Sequence, residues 1–242
     1  MKAIIFSAGL GSRLKPYTNN KPKALVKVLN RPLIEHALLT LQDAGIQDII
    51  INIHHYAEQM IRFVNDYQST SLNIQLSDES GQLLDTGGGL KQAAWFFDTH
   101  QPLLAYNVDI LTNLNIPEMV KKHKEEKALA TLAVRKRNSS RYLLFNARQH
   151  LKGWENTNTQ EKILLENGDL HKKAFSGIQI ISPEIFALLP QKQKFSIIET
   201  YLSLCNNHKV VAYEHNDGYW FDVGTPKKLQ KAEAYLMMKS GH

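Results

Sequence analysis

A short apolar run followed at once by small residues opens the chain, and it constrains the fold more than any other stretch. Ala3–Phe6 is rich in β-branched and aromatic residues, which is typical of a buried strand. Residues 7–13 then include two glycines, which let a backbone turn sharply and approach a ligand closely. Successive N–H groups in such a turn can point at one anion. The stretch therefore predicts a buried strand that ends at a loop able to bind an anion.

The two glycines of this loop leave other interpretations open. No third glycine opens a helix after Gly9 and Gly11, so the loop is not the dinucleotide fingerprint, and it lacks the Gly-Lys-Ser/Thr of a Walker loop. An ordinary glycine-rich turn is the alternative. Arg13 and Lys23 favour phosphate, because they add fixed positive charge and arginine offers a planar fork to phosphate oxygens.

The longer motif is far more specific than its glycines. The string G-L-G-S-R-L-K-P-Y-T at residues 9–18, followed by K-P-K-A-L at residues 21–25, resembles the N-terminal signature of sugar-1-phosphate nucleotidyltransferases. The resemblance covers essentially all 242 residues as one domain, 1–242. It implies an α/β, Rossmann-like nucleotidyltransferase fold with a mainly parallel central sheet flanked by helices. A small antiparallel insertion on the sugar side is expected at about residues 135–175.

The resemblance also implies roles for the first loop. The backbone and side chains that would hold a nucleoside triphosphate are those of Ala8, Gly9, Gly11, Ser12 and Arg13. Lys23 would reach both the reacting phosphates and the sugar phosphate. The implied catalytic residues are Arg13, Lys23 and Asp109.

A second glycine-rich stretch lies further along the chain. Gly87, Gly88 and Gly89 precede a helical pattern at residues 90–97, and such a triplet is unfavourable unless a backbone must approach something closely. A flexible turn is the alternative from these residues alone. The resemblance makes Gly87 and Gly88 part of a second nucleotide-binding loop, bordering the base and the ribose.

Two aspartates are candidate metal ligands. Asp109 follows an apolar strand pattern, and α/β sheets place ligand chemistry at such carboxyl ends. Related chains usually carry Asn-Gly-Asp here, whereas this chain has Val108 in place of the glycine. The string W-F-D-V-G-T-P at residues 220–226 resembles the closing motif of the family, and the resemblance pairs Asp222 with Asp109 around Mg²⁺. Two such carboxylates repel each other without metal, so replacing either is expected to cause no loss of metal-free stability.

The sugar-side residues come from three places. The resemblance assigns sugar-phosphate binding to Asn107, Gly177 and Lys23, with Gly177 inside the strand motif F-S-G-I. A glycine within a strand often marks the close approach of another group. Arginines 135, 137 and 141 cluster at the start of the insertion. They are either solvated surface charges or include one contact to the sugar phosphate.

Composition limits the possible partners and location. The formal net charge of +6 suits an anionic ligand or nucleic acid, but no long basic run or aromatic-basic interleaving accompanies it, so nucleic acid is not expected. No apolar run approaches the ~20 residues that span a bilayer, and no signal segment precedes the first strand, so no membrane association is expected. The single cysteine, Cys205, fits a reducing compartment, so the chain is predicted to be cytoplasmic. It is expected to be a monomer or a homodimer.

The reaction implied by the resemblance joins a nucleoside triphosphate to a sugar 1-phosphate, with Mg²⁺ as cofactor, giving a nucleotide-sugar and pyrophosphate. The short chain and its motifs look most like the uridylyltransferases that act on N-acetylmuramate 1-phosphate. They also resemble small guanylyltransferases that use GTP with mannose or heptose 1-phosphate. A non-catalytic nucleotide-sensing subunit of the same fold is the third interpretation.

Overall fold

The computed structural model describes residues 1–67, 69, 71–98 and 100–239. The strands of this part of the chain are β1 (Ala3–Phe6), β2 (Lys27–Val28), β3 (Arg31–Pro32), β4 (Asp48–Ile53), β5 (Asn73–Asp78), β6 (Leu103–Asn107), β7 (Ile110–Thr112), β8 (Ala130–Arg135), β9 (Arg141–Phe145), β10 (Leu151–Asn156), β11 (Glu161–Leu164), β12 (His171–Ile181), β13 (Val210–Glu214) and β14 (Trp220–Asp222). The α-helices are α1 (Leu33–Asp43), α2 (Ala57–Asp66), α3 (Asp85–Gln92), α4 (Ile116–Glu126), α5 (Ile185–Leu188), α6 (Ile197–Leu204) and α7 (Pro226–Lys239).

The central sheet is parallel in its first half. Strands β5, β4, β1 and β6 lie side by side in that order, and all three pairings are parallel. Strand β12 then pairs antiparallel with β6 and with β8, and β13 runs parallel to β8 at the edge. The predicted mainly parallel sheet is confirmed. Its carboxyl-terminal edge therefore gathers the residues that follow β1, β4 and β6.

Both faces of the sheet are covered by apolar side chains, as a parallel sheet requires. Successive residues of β1 point to opposite faces. Ile5 packs into one hydrophobic core with residues of α1, α4 and α7, whereas Ile4 packs into a second core with residues of α3 and α6. No helix of the described ranges is long and apolar enough to cross a membrane.

The insertion is an antiparallel extension of the same sheet. Strand β10 pairs antiparallel with β9 and β11, and β9 pairs with the first residues of β12. The polar stretch at residues 160–169 contains β11. Register between β12 and β8 shifts between Phe175 and Gln179, around Gly177 with its φ of 80°. This bend turns β12 from the insertion into the central sheet.

The structure corrects the prediction for the glycine triplet. Gly87, Gly88 and Gly89 lie inside α3 rather than in a loop before a helix. A Cβ atom at Gly87 would lie 2.3 Å from the Phe195 ring, and one at Gly88 would lie 2.1 Å from the Gln193 carbonyl oxygen. The helix packs against residues 193–195 at backbone contact distance, which only glycine allows, and this packing overrides the low helix propensity of glycine.

Candidate active site

The carboxyl ends of β1 and β6 border a cavity of about 480 Å³. It is lined by Phe6, Ser7, Ala8, Gly9, Lys23, Asn52, Glu79, Leu83, Asp85, Thr86, Asn107, Val108, Asp109 and Lys194. Gly9 and Lys23, which were predicted to bind phosphates, and the predicted metal ligand Asp109 all line this cavity. The cavity lies where parallel α/β sheets place their ligands.

The glycine loop, defined as residues 7–13, is held in a tight turn beside this cavity. Gly11 has a φ of 65°, and a Cβ atom there would lie 3.0 Å from Cγ2 of Thr18. The Thr18 hydroxyl donates a hydrogen bond of 2.9 Å to the Gly11 carbonyl oxygen. Ser12 and Arg13 then form a short 3₁₀ turn and are exposed, outside the cavity lining. Only Ala8 and Gly9 of the predicted nucleotide-binding residues in the loop line the cavity itself.

A buried amide and a buried carboxylate fix this loop, although no motif of the sequence marks them. Oδ1 of Asn52 accepts hydrogen bonds from the backbone N–H groups of Ser7 at 2.6 Å and Ala8 at 3.3 Å. The amide nitrogen of Asn52 donates to Glu79 at 2.7 Å, and Glu79 also accepts from the Leu84 N–H at 3.3 Å. Burial raises the pKa of Glu79, while the hydrogen bonds from Asn52 and Leu84 act in the opposite direction. The pair ties the glycine loop to the segment that leads into α3.

Strand pairing brings the two predicted metal ligands together. In the antiparallel pair β7 and β14, Ile110 lies opposite Asp222, and the Val223 N–H donates to the Asp109 carbonyl oxygen at 2.8 Å. The two aspartates therefore become neighbours although they are 113 positions apart in the sequence (222 − 109). The adjacent Gly224 lies beside both Asp222 and Arg13, because a Cβ atom there would be 2.7 Å from Asp222 Oδ1 and 4.0 Å from the Arg13 guanidinium.

Each aspartate is paired with a lysine. Lys23 Nζ donates to the Asp109 carboxylate, and Lys228 Nζ donates to Asp222 Oδ2 at 2.7 Å. Burial by itself would raise the pKa of Asp222, but its hydrogen bond and charge interaction with Lys228, together with Lys23 and Arg13, lower that pKa overall. The expected repulsion between two bare carboxylates is therefore wrong for this state of the protein, because each carboxylate has its own cation.

The sugar-side residues meet at the bend of β12. A Cβ atom at Gly177 would lie 3.0 Å from the Asn107 amide nitrogen and 2.8 Å from Ile110 Cγ1, so this strand glycine permits a close approach to β6 and β7. The indole N–H of Trp220 donates to the Ser176 carbonyl oxygen at 2.9 Å. Asn107 thus lies between the cavity and the bend of β12.

The three arginines of the insertion have different surroundings. Arg135 donates to backbone carbonyls at residues 216–218, and Arg141 is exposed on β9. Arg137 lies with its guanidinium carbon 4.3 Å from the Trp220 ring centroid and donates to the Phe175 carbonyl at 2.9 Å. Burial lowers the pKa of Arg137, and the negative charge of Asp222 offsets part of that effect. Of the three, Arg137 is the one whose charge is directed toward Asp222.

A buried histidine supports the bend of β12. His215 Nε2 lies 2.8 Å from the hydroxyl oxygen of the fully buried Ser176. Burial, followed by the positive charges of Arg135 and Arg137, lowers the pKa of His215 to about 4. The folded protein therefore holds this imidazole neutral at pH values where a histidine in the unfolded chain is charged.

We expect His215 to make the protein sensitive to acid. Between pH 6.5 and 4 the unfolded chain binds a proton at this residue that the folded protein does not, so the free energy of unfolding falls as the pH falls. At pH 5 this loss is about 2 kcal/mol. Urea unfolding at pH 7 and pH 5 should show a smaller loss for His215→Gln than for wild type, with the exposed His171→Gln as control. An equal loss in all three proteins would contradict the assignment.

Comparison with protein families identifies the chain. The family model described as nucleotidyl transferase matches residues 2–238. The chain belongs to the nucleotidyl transferase family. Among its curated relatives, the N-acetylmuramate alpha-1-phosphate uridylyltransferase of Caulobacter vibrioides is 28% identical over 242 residues, covering 97% of this chain and 96% of the relative.

Other relatives are longer proteins. The mannose-1-phosphate guanyltransferase 2 of Candida glabrata is 29% identical over 236 residues, covering 94% of this chain but 62% of the relative. The chain thus spans about three fifths of the length of the mannose-1-phosphate guanyltransferases that it matches. The crystal structure of HddC from Yersinia pseudotuberculosis complexed with GMP-PN has a TM-score of 0.77 and 21% identity, covering 97% of this chain and 99% of that one. This likeness confirms the fold.

The carboxylates of Asp109 and Asp222 suit a cation that takes most of its ligands from substrate and water. The described residues contain no group of three or more His, Cys, Asp or Glu side chains placed to hold a metal ion. Asp222 Oδ1 is buried and has no hydrogen-bond partner within those residues. A magnesium ion bound through one or two carboxylates, with phosphate oxygens and water as its other ligands, suits such a pair.

The second glycine stretch is engaged by the protein itself. The N–H groups of Gly87 and Gly88 both donate to the Phe195 carbonyl oxygen, at 2.9 and 3.3 Å. Neither glycine lines the 480 Å³ cavity, whereas Asp85 and Thr86 of the same helix do. Contact of Gly87 and Gly88 with a nucleotide stays a prediction, as do the roles of Gly11 and Ser12.

Proposed function

We propose that the protein transfers a nucleotidyl group from a nucleoside triphosphate to a sugar 1-phosphate and releases pyrophosphate. The observation that supports this most is the convergence of Arg13, Lys23, Asp109 and Asp222 beside a cavity at the carboxyl edge of the sheet. Both substrates are polyanions, so bringing them together requires fixed cations and N–H donors.

The chemistry asked of these residues is positioning and neutralisation. An oxygen of the sugar phosphate forms the new bond to the α-phosphorus, and the bond from that phosphorus to the departing pyrophosphate breaks on the opposite side. In this scheme Arg13 neutralises the leaving pyrophosphate and Lys23 neutralises the α-phosphate and the sugar phosphate. The glycine loop, through Ala8, Gly9, Gly11 and Ser12, holds the triphosphate, and no covalent enzyme intermediate is required.

Asp109 and Asp222 are the residues we assign to Mg²⁺. Their backbones are neighbours through the pairing of β7 with β14, the charge of Lys23 acts on Asp222 as well as pairing with Asp109, and the buried Asp222 oxygen without a partner supports the assignment. When bound, the ion would neutralise charge on the phosphates. The pairing of β7 with β14 brings the two residues close together.

Asn107, Gly177 and Arg137 form the proposed sugar-side wall. Gly177 leaves room beside Asn107, and Arg137 brings a cation within reach of Asp222 while stacking on Trp220. An arginine fork pairs well with a phosphate. We therefore assign the sugar-phosphate contact to Arg137, whose charge interacts with Asp222, rather than to Arg135, whose charge interacts with Asp217.

UTP with N-acetylmuramate 1-phosphate, or a similar hexose 1-phosphate, is the preferred substrate pair in this proposal. Its support is the match to the Caulobacter relative over nearly the full length of both chains. GTP with mannose or heptose 1-phosphate is the alternative, favoured by the fungal relatives. The proposed setting is cytoplasmic nucleotide-sugar synthesis for the cell wall, by a monomer or homodimer of one domain.

A pyrophosphate-release assay tests the proposal. The purified protein is incubated with Mg²⁺, each nucleoside triphosphate and a panel of sugar 1-phosphates. We expect turnover with UTP and its loss in excess chelator, because the two aspartates need a cation to bind phosphate. A clear preference for GTP would replace the base assignment, and full activity in chelator would contradict the metal assignment. Nucleotide binding without turnover on any sugar would instead indicate a sensing subunit.

A further inference from the structure

The two lysines that hold the aspartates differ in how firmly they are placed. The Lys23 side chain is 13% exposed and Asp109 is 18% exposed, and both line the cavity. The Lys228 side chain is 51% exposed and reaches Asp222 from the solvent side. Because ion pairs open to water contribute little to stability, the pair between Lys228 and Asp222 is the one that separates easily.

Helix geometry explains why Lys228 is available. Pro226 begins α7, and Lys228 lies in its first turn, six residues after Asp222. The Lys228 N–H donates a hydrogen bond of 3.4 Å to the Thr225 hydroxyl oxygen, so Thr225 caps the helix. Its backbone is therefore fixed while its long side chain can turn between Asp222 and solvent.

Asp222 retains one oxygen that Lys228 does not satisfy. Oδ2 accepts the lysine, whereas Oδ1 is buried and has no hydrogen-bond partner among the described residues. A buried carboxylate oxygen without a partner is unfavourable. The absence of a side chain at Gly224 leaves room next to this oxygen and toward Arg13. Lys228 thus satisfies one oxygen of the carboxylate, and the other has no partner among the described residues.

We infer that Lys228 is a displaceable substitute for the divalent cation at Asp222. In the free protein its ammonium group neutralises Asp222, and it leaves when a divalent ion binds that carboxylate. The inference rests on the proposed metal pair of Asp109 and Asp222. This role of Lys228 predicts a difference in metal affinity that the metal pair alone does not predict. The nucleotide-free protein binds metal weakly, because the ion must first displace Lys228, whereas an ion that arrives with nucleotide brings phosphate charge that attracts the released lysine.

Metal binding to the nucleotide-free protein tests the inference without relying on activity. The probe is Mn²⁺ alone, titrated calorimetrically into wild type, Lys228→Met and Lys227→Met. Lys227 is exposed in the same helical turn, so its variant controls for the loss of one positive charge. We expect Lys228→Met to bind Mn²⁺ about fivefold more tightly than Lys227→Met, since no exposed ion pair has to be broken. The rise in melting temperature on adding Mg²⁺ should also be larger in Lys228→Met.

Two results would overturn the inference, and they can be told apart. Equal Mn²⁺ affinity in the two lysine variants, with binding abolished by Asp222→Asn, would leave the metal pair standing and remove the role of Lys228. Absence of Mn²⁺ binding in every variant, with no effect of Mg²⁺ on melting, would overturn both the inference and the metal assignment. Circular dichroism of each variant verifies that it is folded.

Discussion

Replacing Lys23 with methionine is expected to lower turnover by about 10³-fold, the scale seen when a cation or donor that stabilises reacting phosphate is removed. The Lys23 amine lines the cavity and pairs with the Asp109 carboxylate, so it lies where the reacting phosphates are proposed to bind. The fold should persist at lower stability, because the variant leaves Asp109 without its partner but keeps the apolar anchor of this turn, the fully buried Ala24.

The measurement is the rate of pyrophosphate release, combined with a thermal melt of the variant. Lys27→Met is the matched control, since Lys27 is an exposed lysine on β2 four residues away. Lys23→Arg keeps the charge and should retain more activity than Lys23→Met. Turnover within tenfold of wild type in folded Lys23→Met would exclude Lys23 from the chemistry.

The elements that the sequence predicted correctly are those whose signals are local. The apolar run of β1, the glycines at 9 and 11 and the lysine at 23 lie within one short stretch, so strand, turn and charge could be inferred together. Each of these depends on neighbours along the chain rather than on partners far from it.

What the sequence did not predict depends on long-range contacts. The glycines of α3 look like a loop until residues 193–195 are brought against them. Asn52 and Glu79 are 27 positions apart, and nothing local marks them as partners. A polar Asn within the otherwise apolar pattern of β4 was the available signal, because a buried amide in such a strand needs a partner.

The charges around Asp109 and Asp222 differ most from what the sequence predicted. Two aspartates near each other predicted mutual repulsion, but the structure supplies Lys23 to one and Lys228 to the other. Lys23 lies far from Asp109 along the chain, so its pairing could be seen only once the strands were placed. The consequence is that replacing either aspartate removes a favourable ion pair, which reverses the expected effect on metal-free stability.

The variants Asp109→Asn and Asp222→Asn are expected to lower turnover by about 10²-fold to 10³-fold each, since each removes a carboxylate that we propose holds the phosphate-binding cation. The double variant should be scarcely slower than either single variant, because residues that act as one unit lose their joint effect only once. Fully multiplicative rate losses would mean that the two carboxylates do not share an ion.

Stability in chelator separates the two aspartates. Asp109→Asn leaves the largely buried Lys23 without its partner, and removing one member of a buried ion pair costs about 3–5 kcal/mol. Asp222→Asn releases Lys228, which is half exposed and can be solvated, so the loss there should stay within about 1 kcal/mol. Thermal and urea unfolding without metal should therefore rank Asp109→Asn well below Asp222→Asn. The opposite order would mean that Lys228, not Lys23, is the firmly held lysine, and that the ion at Asp222 has no easily displaced competitor.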